Sequence, residues 1–227
     1  DFFFEHHVDS GAHLAVILLM LAQFLLQFRQ RAIAQTCRRF QVALAFGLFQ
    51  VSITVMLLQT IPFMTDAGYP RLIAASMISL ASVPAFLSKP FWGIFIDRYR
   101  AKFLAAIGAA LTGISVILIV YSVRAEIHAL VYAGFLIMGV GWGGLIPLQE
   151  VIWASFFGRR YLGAVRSTAM PFSFAMSAAG PVLAAWHFDR FGNYDNAFLL
   201  MALCNLASAA LLLQISDRAR QPLPQVS

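Results

Sequence analysis

Charge is scarce in this chain: Asp, Glu, Lys and Arg make up 11% of its 227 residues. A soluble domain carries about 25%. Hydrophobic residues account for 60%, and no soluble core of this size buries so much apolar side chain, so the solvent must be lipid. Cysteine is nearly absent. Cys37 stands in a basic stretch and Cys204 in an apolar one, and neither a disulfide framework nor a metal-ligand spacing follows from them. The phosphate loop G-x-x-x-x-G-K-[ST] is missing, so nothing points to ATP drive. No nucleophile–base set or metal-ligand cluster stands within the apolar runs, which argues against an enzyme and leaves no cofactor implied. The short alternating runs of barrel strands are lacking too. The chain opens at Asp1 without a charged stretch ahead of an apolar run. It therefore does not read as a signal peptide, and it reads as a piece of something longer.

What is present is a series of long apolar runs. Residues 1–11 hold three acids, two histidines and no Lys or Arg. His6-His7 with Asp9 reads as a polar loop or frayed terminus rather than a metal site, because no further ligand stands at a suitable spacing. Ala12 to Phe28 is a short membrane helix, with an interfacial helix as the alternative. Arg29, Arg31, Arg38 and Arg39 then form a basic loop. Six spans are expected after it: Phe40–Met64, Leu72–Ile96, Phe103–Val123, His128–Phe157, Ala164–Trp186 and Ala197–Ile215. The second and third are separated by only a few residues, which predicts antiparallel neighbours. The fourth contains Gly139-Val140-Gly141-Trp142-Gly143, a G-x-x-x-G that lets helices approach closely in lipid. His187 to Asp195 is expected as a polar loop, and 217–227 as a soluble tail.

Alternating the loops sorts the basic residues. One side holds Arg29, Arg31, Arg38, Arg39, Arg98, Arg100, Lys102, Arg159, Arg160, Arg166, Arg218 and Arg220; the other holds Arg71, Arg124 and Arg190. The twelve-residue side is cytoplasmic by the positive-inside rule, which puts the C-terminus in the cytoplasm and favours the plasma (inner) membrane. The bias also supports the segmentation, and it explains the net charge of +6 without nucleic acid.

Three stretches resemble a known family. Gly93-Ile94-Phe95-Ile96-Asp97-Arg98, followed by Lys102, is similar to the cytoplasmic G-x-x-x-D-R-x-G-R-K loop of the major facilitator superfamily. Arg100 stands where the family has glycine, and Ala101 where it has a basic residue. Phe157-Gly158-Arg159-Arg160 through Gly163 to Arg166 resembles an F-G-R-R-x-x-G-x-x-R turn. Gly180-Pro181 with Asp189 to Tyr194 resembles the G-P…D-x-x-G-x-Y pattern after it. Together they resemble the monocarboxylate transporter and oxalate–formate antiporter branch. The resemblance implies an all-α polytopic transmembrane helical bundle: the C-terminal six-helix half of a transporter over 40–216. Residues 1–39 would hold the last helix of the N-terminal half and a short linker. The missing N-terminal half, the lipid bilayer and a small anionic substrate are the implied partners. Transport would run by alternating access, with the site near mid-membrane. A non-transporting scaffold derived from a degenerate half-transporter is the alternative.

The intramembrane charges are the candidate site. Lys89 stands eight residues before Asp97, roughly 12 Å inside its helix. A charge at that depth is costly and marks a functional site by default. Lys89-Pro90 aligns with an Arg-Pro of monocarboxylate transporters, where the resemblance implies that the arginine binds the substrate carboxylate. A structural ion pair or snorkelling is the other reading. The resemblance also places Ala85 where the family often has an aspartate for proton coupling, so proton symport by that route is not expected. Glu150, beside Gln149, stands at a similar depth, where it could pair with Lys89; Lys89, Glu150 and Gln149 are the expected substrate-binding residues, and a Glu150 protonated or hydrogen-bonded for packing is the other reading. Gly93, Asp97, Arg98, Lys102, Arg159, Arg160 and Arg166 form the expected cytoplasmic gate. Asp97 and Arg98 would cap helix ends and lock that face in one state.

Overall fold

The computed structural model describes residues 40–157 and 162–215. The expected helix over 12–28, Arg159, Arg160 and the tail lie outside the described residues, as do His6, His7 and Asp9. The chain divides into two compact units, Asp1–Phe40 and Gln41–Ser227, and the second holds the architecture below.

The described residues form six helices and no strand. They are α1 (Phe40–Asp66), α2 (Arg71–Arg98), α3 (Ala101–Arg124), α4 (His128–Phe157), α5 (Leu162–Phe191) and α6 (Asp195–Gln214). α1, α2, α3, α4 and α6 are long and apolar enough to cross a membrane. α5 is thirty residues long, covers the expected span Ala164–Trp186 and contains Pro171 and Pro181. It also extends through His187–Phe191, expected as loop. Gly192, at φ +69, ends it, with its N–H bonded to Phe188 O at 2.7 Å. A left-handed residue after the last turn closes a helix in this way. Phe188 then stacks on Tyr194 at 4.3 Å, which folds the short turn back onto the helix.

The helices run up and down, as their end contacts show. Tyr69, before α2, and His128 Nδ1, opening α4, share a 2.8 Å hydrogen bond. Burial, with Tyr132 and Glu126 nearby, raises the Tyr69 pKa, so the hydroxyl keeps its proton at neutral pH. Arg124, ending α3, pairs with Asp195, opening α6. At the opposite ends Lys102, opening α3, reaches Ile215, after α6.

α4 is the central helix. Gly139 and Gly143, one turn apart, face α2. A Cβ on Gly139 would meet Pro84 Cγ at 2.7 Å, and one on Gly143 would meet Ala85 O at 2.5 Å. Gly141 faces α3, where a Cβ would lie 2.7 Å from Gly108 O. Neighbours on two sides therefore approach at backbone distance, as small residues permit in lipid. The expectation for α2 and α3 is corrected here. They are consecutive, yet α2 packs chiefly on α4 while α3 packs on α4 and α6. The glycines of α4 make the closer seat, and they draw α2 away from α3.

α1 joins α6 and α5 through polar contacts. Asn205 Nδ2 donates to Ser52 Oγ at 2.6 Å, and Ser208 Oγ donates to Ala45 O at 2.7 Å. Thr54 and Ser177 hydroxyls meet at 2.5 Å. Gly180 of α5 lies against Val51 and Val55 of α1. Three apolar clusters fill the bundle. One holds Phe46, Leu104, Leu148 and Ile152; a second, nearer the Tyr69 end, holds Met77, Ile119, Phe135 and Phe198; a third, among α1, α5 and α6, holds Val51, Val55, Ala184 and Met201.

Candidate functional site

α4 has a third face. Ile146, Gln149, Glu150 and Trp153 stand at i, i+3, i+4 and i+7, so they share one side of the helix. They line a cavity of about 210 Å³ together with Phe46 and Gln50 of α1 and Met170, Ser173 and Phe174 of α5. Four hydrogen-bonding side chains, Gln50, Gln149, Glu150 and Ser173, meet there among three aromatic rings. Pro147 lies in the same stretch of α4. Its nitrogen cannot donate, so the Gly143 carbonyl loses its partner within the helix.

The structure thus brings Gln149 and Glu150 together, in one cavity, and adds Gln50 and Ser173 to them. Lys89 stands apart, on the exposed side of α2. Among the described residues no ion pair joins Lys89 to Glu150. The Lys89 ammonium lies over the Phe86 ring, 5.9 Å from its centroid, which is within reach for a cation–π contact. The expected alternative of an internal Lys89–Glu150 pair is therefore not formed. The reason is packing. Ser88 and Trp92, flanking Lys89, turn into α4 and bond Val140 O at 3.4 Å and 2.9 Å. That rotation leaves Lys89 on the outer flank. α2 and α4 run in the same direction, with Pro84 beside Gly139 and Ala85 beside Gly143. Lys89 is therefore within about one turn of Glu150 in depth, roughly 6 Å along the axis.

The gate residues divide. Asp97 and Arg98 are exposed at the end of α2 and form no ion pair among the described residues. Their expected capping role is not seen: Arg100 is the N-cap of α3 and makes no side-chain cap bond. Tyr99 closes α2 through its own N–H, bonded to Phe95 O. Lys102 is buried and donates to Ile215 O at 2.8 Å, with the Phe103 ring 5.1 Å from its ammonium. A cation at the carbonyl end of a helix is favourable both as a charged donor and toward the helix dipole. Gly93 has open space where a Cβ would stand. Arg166 lies in the first turns of α5.

Reading the sequence missed Gln50 and Ser173. Gln50 offered a signal, as a lone amide in the apolar run Val42–Val51. Ser173 offered none, because α5 is rich in small polar residues.

From residue 12 to residue 226 the chain matches the model of the Major Facilitator Superfamily. A search of curated proteins gave no match. The up-and-down bundle, the apolar spans and a match over nearly the whole chain agree: this integral membrane protein belongs to the Major Facilitator Superfamily, a family of membrane transporters.

Proposed function

We propose that the chain is the C-terminal six-helix half of a secondary transporter that moves a small organic anion, monocarboxylate-like, by alternating access. The cavity of Gln50, Gln149, Glu150 and Ser173 carries this reading. It is a polar space within a bundle packed mainly with apolar and small residues, and intramembrane polar groups mark solute pathways. Lys89 supports the anion. An ammonium with no carboxylate partner among the described residues, held near a ring at membrane depth, is an anchor for a substrate carboxylate. Gln149 and Glu150 would bind the other end of the substrate, so a carboxylate that also carries a hydrogen-bond donor fits both. The N-terminal half would supply the facing wall. The gate of Gly93, Asp97, Arg98, Lys102, Arg159, Arg160 and Arg166 would lie on the cytoplasmic side of the plasma (inner) membrane, with the C-terminus.

The test is uptake of labelled monocarboxylates into proteoliposomes, comparing Asp1–Ser227 with the same chain joined to an upstream six-span half. Uptake by the joined protein alone is the expected result. Equal uptake by Asp1–Ser227 would overturn the half-transporter reading. Exchange of other solutes but no carboxylate would overturn the substrate class.

A further inference from the structure

The packing of α2 on α4 leaves a crevice between α2 and α3. Its volume is about 650 Å³. Leu87, Phe91 and Phe95 form one wall, Ile107 and Leu111 the other, with Trp92 on the floor. The two floor groups able to hydrogen-bond, Ser88 Oγ and Trp92 Nε1, are both turned to Val140 O, so the floor is apolar. From Pro84 to Tyr99 the groove runs about 22 Å along α2. One leaflet of hydrocarbon is about 15 Å deep. The groove is therefore long enough for an acyl chain and reaches the headgroup level at Tyr99.

That end is basic. Arg98, Arg100 and Lys102 against Asp97 give the turn a net charge of +2, and Arg98 and Arg100 are exposed. Lys102 is occupied with Ile215. A second apolar groove, of about 440 Å³, lies among α1, α5 and α6 and provides an internal contrast. Its mouth at His187 and Asn196 adjoins Asp189, Arg190 and Asp195, the last paired with Arg124, and these four sum to zero. The two grooves share apolar walls and differ in the charge at the mouth.

We propose that the α2–α3 groove is a binding site for an anionic phospholipid of the bilayer. An acyl chain lies between Phe91 and Ile107, and the phosphate sits at Arg98 and Arg100. The α1–α5–α6 groove takes lipid without regard to headgroup charge. Each exposed arginine near an anionic headgroup favours it about fivefold.

The experiment uses the full chain in nanodiscs containing phosphatidylglycerol or phosphatidylcholine with the same photoactivatable acyl chain. Cross-links from phosphatidylglycerol are expected on peptides of 84–111 in excess over phosphatidylcholine. The excess should fall about fivefold for each of Arg98→Gln and Arg100→Gln. Ile107→Trp fills the groove and leaves the charges, and it should remove cross-links there for both lipids while those on 183–204 persist. Equal labelling of 84–111 by the two lipids would overturn the proposal. So would an excess that survives both arginine replacements, or undiminished labelling of Ile107→Trp. Ile107 is half-exposed on the crevice wall, so this variant folds independently of the arginines and keeps the test decisive.

Discussion

Lys102 Nζ donates a 2.8 Å hydrogen bond to the main-chain oxygen of Ile215 and so ties the start of α3 to the end of α6. Lys102 also ends the charged motif that follows α2, so one residue of that motif holds the bundle together while Asp97 and Arg98 stand exposed. Lys102→Met keeps most of the stem and removes the charged donor. It should cost about 1.5–3 kcal/mol, because a buried carbonyl loses a charge-assisted bond. Thermal unfolding in detergent measures this, and an unchanged midpoint would show that the tie carries no stability.

The α2–α4 seat makes a sharper prediction. Gly143→Ala places a methyl 2.5 Å from Ala85 O, which is backbone and cannot rotate away. The seat must open, at a cost of about 1–3 kcal/mol for overpacking. Gly93→Ala meets nothing within 4 Å and should be neutral or stabilising by up to about 1 kcal/mol, through helix propensity alone. If both variants unfold alike, close approach at Gly143 is not what seats α2.

These two glycines show what the sequence discloses and what it withholds. Each apolar run announced a helix, because lipid leaves a backbone few other ways to satisfy its polar groups. The ends agree within a few residues except at α5, where His187–Phe191 continues the helix until Gly192 stops it. The G-x-x-x-G was legible as a contact, but its partner was not. Nearness in sequence favoured α3 as the neighbour of α2, whereas Gly139 and Gly143 seat α2 on α4. Helix rotation was equally hidden. Depth put Lys89 and Glu150 at similar levels, and the turn of Ser88 and Trp92 into α4 decides that they do not pair. The cavity needed three helices from distant parts of the chain, so Gln50 and Ser173 emerged only from the packing.

Sidedness follows from the split of basic residues and is open to direct measurement. With Cys37 and Cys204 replaced by serine, a cysteine at Arg100 should react with an impermeant thiol reagent only from the cytoplasmic side. One at Asn193, in the turn between α5 and α6, should react only from the other side. Labelling of both positions from one side would break the up-and-down order.

Lys89 and Glu150 are the most exposed part of the functional reading. They form no ion pair with each other, and the Lys89 ammonium rests over Phe86 instead. Lys89→Ala should therefore leave folding nearly unchanged, since it strands no buried partner. It should abolish binding of a monocarboxylate, losing charged hydrogen bonds worth about 1.5–3 kcal/mol. Lys89→Arg should keep partial activity, because a guanidinium still meets a carboxylate, with different reach and geometry. Glu150→Gln preserves the shape of the cavity wall and removes the charge. Were the two residues paired, each single variant would strand a charge at about 3–5 kcal/mol and the double variant would recover. Without a pair, the stability changes should add to within about 0.5 kcal/mol. A double-mutant cycle in the chain joined to an upstream six-span half reads both quantities: melting in detergent and carboxylate uptake in proteoliposomes. Additive stabilities, with uptake lost in Lys89→Ala and in the double variant, are the expected outcome. Recovery of uptake in the double variant would show that Lys89 serves Glu150 and that the anion is held elsewhere.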